Sequence, residues 1–187
     1  MLETEERAIL EFCLNKTITH LSFCNFKAYQ THPSVLGYDT FLAFNFGCKI
    51  TLDDELSLIV SYWEDELGDP YRVKVWNYAQ FNAEALLEKK VDFEHPWESF
   101  IGQTITGYEM LDYSSSYKRH GQEGMHDVTW GVLFQMGNHQ QLLAAALSSE
   151  DPFRKGTQKE ILVSEDHDFI DQQKARFKDF VGFYGVM

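Results

Sequence analysis

The chain has 187 residues, enough for one domain with a full core and too few for two comfortable ones. Hydrophobic residues make up 44% and aromatics 15%, which excludes a disordered chain. Lys and Arg total 16 against 29 Asp and Glu, a formal charge of −13 that repels phosphate backbones and excludes a general nucleic-acid binder.

No stretch approaches the roughly eighteen apolar residues of a membrane helix, and Met1-Leu2-Glu3-Thr4-Glu5-Glu6 is acidic where a secretory signal is basic. A cytoplasmic protein with no membrane partner is therefore expected. Cys13, Cys24 and Cys48 are odd in number, lack C-x-x-C spacing and sit in apolar contexts, so they read as buried free thiols.

Taken in order, Thr4 to Asn15 reads as a helix with Ile9, Phe12 and Cys13 on one face, widened by Leu10 and Leu14. His20 to Tyr29 reads as a Phe-rich strand whose apolar parity switches, which predicts a bulge. Gln30 to Tyr38 reads as a loop, Phe41 to Phe46 as a short strand ended by Gly47, and Asp53-Asp54-Glu55 as an exposed turn. Leu56, Leu58, Val60 and Tyr62 alternate as a strand. A second acidic turn, Glu64 to Pro70, leads to a strand with Tyr71, Val73 and Val75 on one face.

Asn77, with Gln80 three residues on, predicts a short helix carrying Leu86 and Leu87 and closing at Lys89-Lys90. A further helical turn begins at Pro96, buries Trp97, Phe100 and Ile101, and stops at Gly102. Gln103 to Leu111 reads as a strand and Ser114 to Met125 as a polar loop. Val128, Trp130, Val132, Phe134 and Met136 then alternate strictly, Gly137-Asn138-His139 supplies turn chemistry, and Leu142 to Leu147 is a second apolar run. Asp127 to Ser149 is thus a central β-hairpin. Its alternate face (Thr129, Gly131, Leu133, Gln135) is half apolar and predicts a covering element. Ile161 to Val163 adds a strand, and a last helix from Asp168 presents Phe169, Ile170, Phe177, Phe180 and Val181.

The expected fold is α+β, a single domain over 1–187. Its mainly antiparallel sheet has about eight strands, with peripheral helices at both termini and mid-chain. The halves 17–76 and 103–165 echo one another: Ile18-Thr19 with Ile105-Thr106, Phe46-Gly47 with Met136-Gly137, and Leu56 to Asp65 with Leu142 to Asp151. This fits an internally duplicated β-meander, and it equally fits two unrelated antiparallel hairpins.

No nucleophile elbow, phosphate loop, H-E-x-x-H or dinucleotide fingerprint is present, and Ser114 to Ser116 lack a glycine frame. No catalytic residue, metal ligand or cofactor is assigned. The one enzyme-like alternative is the His120 to Asp127 loop, with His126 and Asp127 joined by His32 or His95 on a metal or in acid–base work. His139 would lie more than about 20 Å from His126 across the hairpin and cannot share that site. Asp166-His167-Asp168 reads as the cap of the last helix.

The acid clusters remain. Asp53-Asp54-Glu55 and Glu64-Asp65-Glu66 with Asp69 lie in turns at opposite ends of one strand, beside Tyr62, Trp63, Tyr71 and Trp76, aromatic types common at interfaces. With its −13 charge, acidic turns and missing catalytic motifs, the chain resembles in general character the immunity proteins that bacteria make against secreted or contact-delivered toxins. The resemblance implies a basic protein partner, such as a toxin domain, held by Asp53, Asp54, Glu55, Tyr62, Trp63, Glu64, Asp65, Glu66, Asp69 and Tyr71. A structural or regulatory subunit, homodimeric through an exposed sheet edge, is the other binding-class alternative.

Overall fold

In the computed structural model the chain is described over residues 4–26, 35–37, 42–44, 47–62, 72–80, 86–90, 99–119, 122–147, 160–178 and 182–185. The order is α1 (Thr4–Phe12), β1 (Ile18–Phe26), β2 (Val35–Gly37), β3 (Leu42–Phe44), β4 (Gly47–Leu52), β5 (Ser57–Tyr62), β6 (Val73–Asn77), β7 (Leu86–Lys90), β8 (Ile105–Arg119), β9 (Gln122–Met136), β10 (Gln141–Leu147), β11 (Glu160–Ser164), α2 (His167–Lys178) and β12 (Gly182–Gly185). The fold is α+β, mainly antiparallel, with twelve described strands rather than about eight.

The strands form two sheets, in the orders β6-β5-β4-β1-β7 and β12-β8-β9-β10-β11-β3-β2. Among the described strands, only the β12–β8 pairing is parallel. β4 and β5 of the first sheet pack against β10 and β11 of the second. One continuous core, from Leu10 and Phe23 through Val60 to Phe134, Leu142 and Val163, fills the space between them. Ile50, Leu52, Leu58, Val60, Val73 and Val75 are all buried, as the period-two pattern requires.

Each sheet contains a four-strand meander, β1-β4-β5-β6 and β8-β9-β10-β11. Their correspondences are specific. The ladder of β1 skips Thr19 and that of β8 skips Thr106, and each threonine hydroxyl donates to a carbonyl of the neighbouring strand, Thr51 and Gln135, at 3.2 Å. The turns Leu52–Leu56 and Met136–Gln140 share one wiring. The first residue's N–H donates to the fifth residue's carbonyl, the fourth residue's N–H returns to the first carbonyl, and Asp54 or Asn138 accepts from the fifth N–H. The fourth residue is left-handed in both, Glu55 at φ 64° and His139 at φ 69°.

The central hairpin is present as β9–β10, closed at Gly137–Gln140. The single apolar face expected for β9 is not. The β8–β9 register passes from Leu111↔Gly131 to Asp112↔Thr129, leaving Trp130 as an extra residue. A bulge of this kind turns neighbouring residues to the same side and reverses the parity beyond it. Trp130 therefore stacks on Phe177 of α2, ring centroids 4.3 Å apart, and Tyr113, opposite Val128, lies 5.5 Å from the same ring. α2 thus covers the side of the sheet that carries Trp130 and Tyr113.

Further expectations are corrected. Leu86–Lys90 is strand β7 on the edge of β1, not helix, because pairing with Ser22–Phe26 outweighs the helical preference of Leu-Leu-Glu-Lys-Lys; Tyr78–Gln80 forms a 3-10 turn, and 81–85 lie outside the described residues. Where it is described, the polar loop expected over Ser114–Met125 is strand, β8 continuing to Arg119 and β9 beginning at Gln122. Val35–Gly37, expected as loop, pairs with β3. Phe12, expected inside, is 54% exposed, whereas Leu10 and Cys13 are buried. Pro96, Trp97, Phe180 and Val181 lie outside the described residues; Phe100 is buried, but Ile101, also expected inside, is 42% exposed, and Gly102 ends its turn at φ 84°.

Candidate functional site

α1 lies along β6, the outer strand of the first sheet. Glu6, 3% exposed, accepts the Val75 N–H at 3.1 Å, which satisfies an edge donor of β6 and fixes the helix on the strand. With that side of α1 committed, Glu5, Ala8, Ile9 and Phe12 turn toward Leu56 and Asn77. The six line an open cleft of about 250 Å³. Its floor is aliphatic, its largest wall is the exposed Phe12 ring, and its far wall begins one residue after Glu55.

Lys16 joins the two sides. Its ammonium lies 5.2 Å from the Phe12 ring centroid and 2.7 Å from Asp54 Oδ2. That hydrogen bond holds the Asp54 carboxyl below the ordinary carboxylate range and raises Lys16 above the ordinary lysine value. A cation thus already sits between an aromatic face and a carboxylate, the arrangement an incoming Lys or Arg would extend. Asp53 and Glu55, both exposed, stand on either side of Asp54.

The turn at Asp53–Glu55 is therefore where the sequence put it, at the end of β5 opposite Tyr62. Tyr62 is half-buried and packs against the core. Trp63, Glu64, Asp65, Glu66, Asp69 and Tyr71 lie outside the described residues. Trp76 is on the outer face of the first sheet, donating to Ser61 Oγ at 2.9 Å with Lys74 over its ring. Sequence reasoning missed Phe12 and Leu56. The only available signal was that a broad helical face with five apolar residues exceeds what one edge strand can cover.

The alternative built on His120 to Asp127 changes form. His120, like His32 and His95, lies outside the described residues, and His126 and Asp127 belong to β9, with Asp127 accepting from Ser114 Oγ at 3.0 Å. His126 is ten positions before the end of β9, about 30 Å from the His139 turn at strand rise, so those two stay apart. Among the described residues no three His, Cys, Asp or Glu side chains converge as metal ligands. Asp166 caps α2, accepting the Phe169 N–H at 2.7 Å, as its sequence context predicts.

A second concavity, about 450 Å³, runs between β8 and α2 and is lined by Glu109, Asp112, Trp130, Lys174, Phe177 and Lys178 among others. Lys174 and Glu109 pair across it at 2.7 Å. No described helix is long and apolar enough to cross a membrane. No family model, curated protein or solved structure matches the chain.

Proposed function

We propose that this is an acidic binding protein that captures a basic protein partner at the α1 cleft, in the manner of bacterial immunity proteins that neutralise a toxin domain. An apolar partner side chain enters between Phe12 and Leu56, and flanking Lys or Arg residues meet Asp53, Asp54 and Glu55. The observation that carries the reading is the contrast between two turns of one wiring: Leu52–Leu56 is filled by Asp-Asp-Glu and Met136–Gln140 by Gly-Asn-His. Asn138 does the structural work of Asp54. The charges of Asp53 and Glu55 are thus not required to build the turn, which Lys16 links through Asp54 to the exposed Phe12 ring in a chain of charge −13.

The test is binding to the basic C-terminal domain of a toxin encoded beside this gene, measured at low and high salt, together with protection of cells from that toxin. Phe12→Ser should slow capture little and speed release, whereas Asp53→Lys with Glu55→Lys should slow association and remove most of the salt dependence. Protection that survives both changes would sink the proposal.

We also infer that the two meanders descend from one duplicated unit. The matching skips at Thr19 and Thr106 and the matching turns support it.

A further inference from the structure

In the first sheet the outer side of β1 is closed by β7, which pairs antiparallel with Ser22, Phe23, Cys24 and Asn25. The corresponding stretch of β8, counted from the matching skips at Thr19 and Thr106, is Glu109–Asp112. Among the described residues, β12 covers β8 from Ser115 to Lys118, and the Asn15–Lys16 segment binds it at Ile105. Between them, among the described residues, β8 carries no outer strand. Ile105 turns both its N–H and its carbonyl away from β9, toward Lys16 and Asn15. Carried past the skip at Thr106, the antiparallel alternation turns the main-chain groups of Tyr108, Met110 and Asp112 to the open side. A gap bounded by strands, with a row of edge donors and acceptors, calls for an extended chain.

We propose that a second copy of this protein fills the gap, β8 pairing with β8 across a two-fold axis to join the two seven-stranded sheets. Two observations favour a second copy over another partner. A two-fold axis makes the added strand antiparallel, the direction β7 takes on β1. The groove beside the gap is also locally neutral, with Glu109 and Asp112 against Lys174 and Lys178, in a chain of charge −13. Two such molecules can approach there without like charges opposed, while distant charges are screened within about 8 Å at physiological salt. This surface adjoins the α1 cleft only through the Asn15–Lys16 segment, and Asp112 and Lys178 line no part of that cleft, so its test does not depend on the toxin-binding proposal.

Sedimentation of the full chain across the micromolar to millimolar range should show a species of twice the 21.8 kDa chain mass. Asp112→Pro removes an outward N–H that the β8–β9 ladder does not use, together with the carboxylate that accepts the Thr129 hydroxyl, and in a variant that stays folded should weaken self-association at least about tenfold. Lys178→Glu, an exposed change that makes the groove acidic, should weaken it in the same direction and more at low salt. Amide exchange at Met110 and Asp112 should slow as the dimer forms. A chain that stays monomeric throughout, or a dimer unaffected in a folded Lys178→Glu variant with unprotected Met110 and Asp112 amides, would overturn the proposal.

Discussion

Thr17 and Thr104, 87 positions apart, stand with their hydroxyl oxygens 3.4 Å from one another where the two meanders meet. The backbone around them is reciprocal. Asn15 donates to Ile105 and Gly102 to Ile18; Ile105 donates to Lys16 and Ile18 to Gln103. Lys16 returns to Cys13 and Gln103 to Phe100, so each strand is entered through the same turn. Both turns need a left-handed residue, met by Asn15 at φ 63° and Gly102 at φ 84°. Asn15→Gly should be nearly neutral, whereas Gly102→Val forces a β-branched residue into that region and should cost about 1–3 kcal/mol in urea melts.

Glu6 is the only described acid that is buried. Its Oε1 accepts the Val75 N–H, so truncation leaves a buried donor with no acceptor. Glu6→Ala should cost about 1–3 kcal/mol, and Glu6→Gln, which keeps the carbonyl oxygen, clearly less. Equal losses in the two variants would show that the helix–strand bond contributes little.

The physical reasons for what the sequence revealed are visible in particular residues. The β9–β10 hairpin was legible because Gly137-Asn138 interrupts two apolar runs that the core demands. The reversal at Trp130 was not, because one inserted residue preserves a strict alternation of types while changing the side each faces. Ser114 to Met125 carry no alternation of apolar and polar types, so the facing ends of β8 and β9 resemble a loop in the sequence. Leu86–Lys90 is strand only because the edge of β1 waits for it. The acidic turn could be read, but the cleft could not: it depends on Glu6 setting the rotation of α1, which brings Phe12 to the surface.

Two carboxyls should respond to pH with opposite sign. Asp54 is lowered mainly by its hydrogen bond to Lys16, so its contribution is present above the unfolded carboxylate value and is lost as pH falls through the lowered one. Glu165 is raised, chiefly by burial, so the folded state holds its proton longer and stability falls as pH rises from the unfolded value through the raised one. Carbon-detected NMR titration should place Glu165 above and Asp54 below ordinary values. Lys16→Met should return Asp54 toward normal, and Glu165→Gln should flatten the Glu165 part of the stability profile.

Burial pushes the thiols of Cys13 and Cys48 up to about 12, and Cys24 is buried beside Ile59. At pH 8 these three thiols should be inert to iodoacetamide in the native chain and should all label in denaturant. Stoichiometric labelling under native conditions would contradict the burial.

Stability and capture should separate at two positions of the α1 cleft. Glu55 holds a left-handed conformation that costs a residue with a β-carbon, and Glu55→Gly should relieve about 0.5–1 kcal/mol after the added freedom of the unfolded chain is subtracted. His139→Gly, in the corresponding turn, should do the same and serves as the control. If the acid at position 55 is there for a partner, Glu55→Gly raises the melting temperature while slowing association, and His139→Gly raises it without touching association. Phe12→Ser tests the other wall. A buried phenylalanine such as Phe23 or Phe134 should cost about 3–5 kcal/mol on truncation, but Phe12 is 54% exposed and should change stability by less than about 1 kcal/mol. A large loss at Phe12 would make it a structural residue and remove the aromatic wall from the proposed interface.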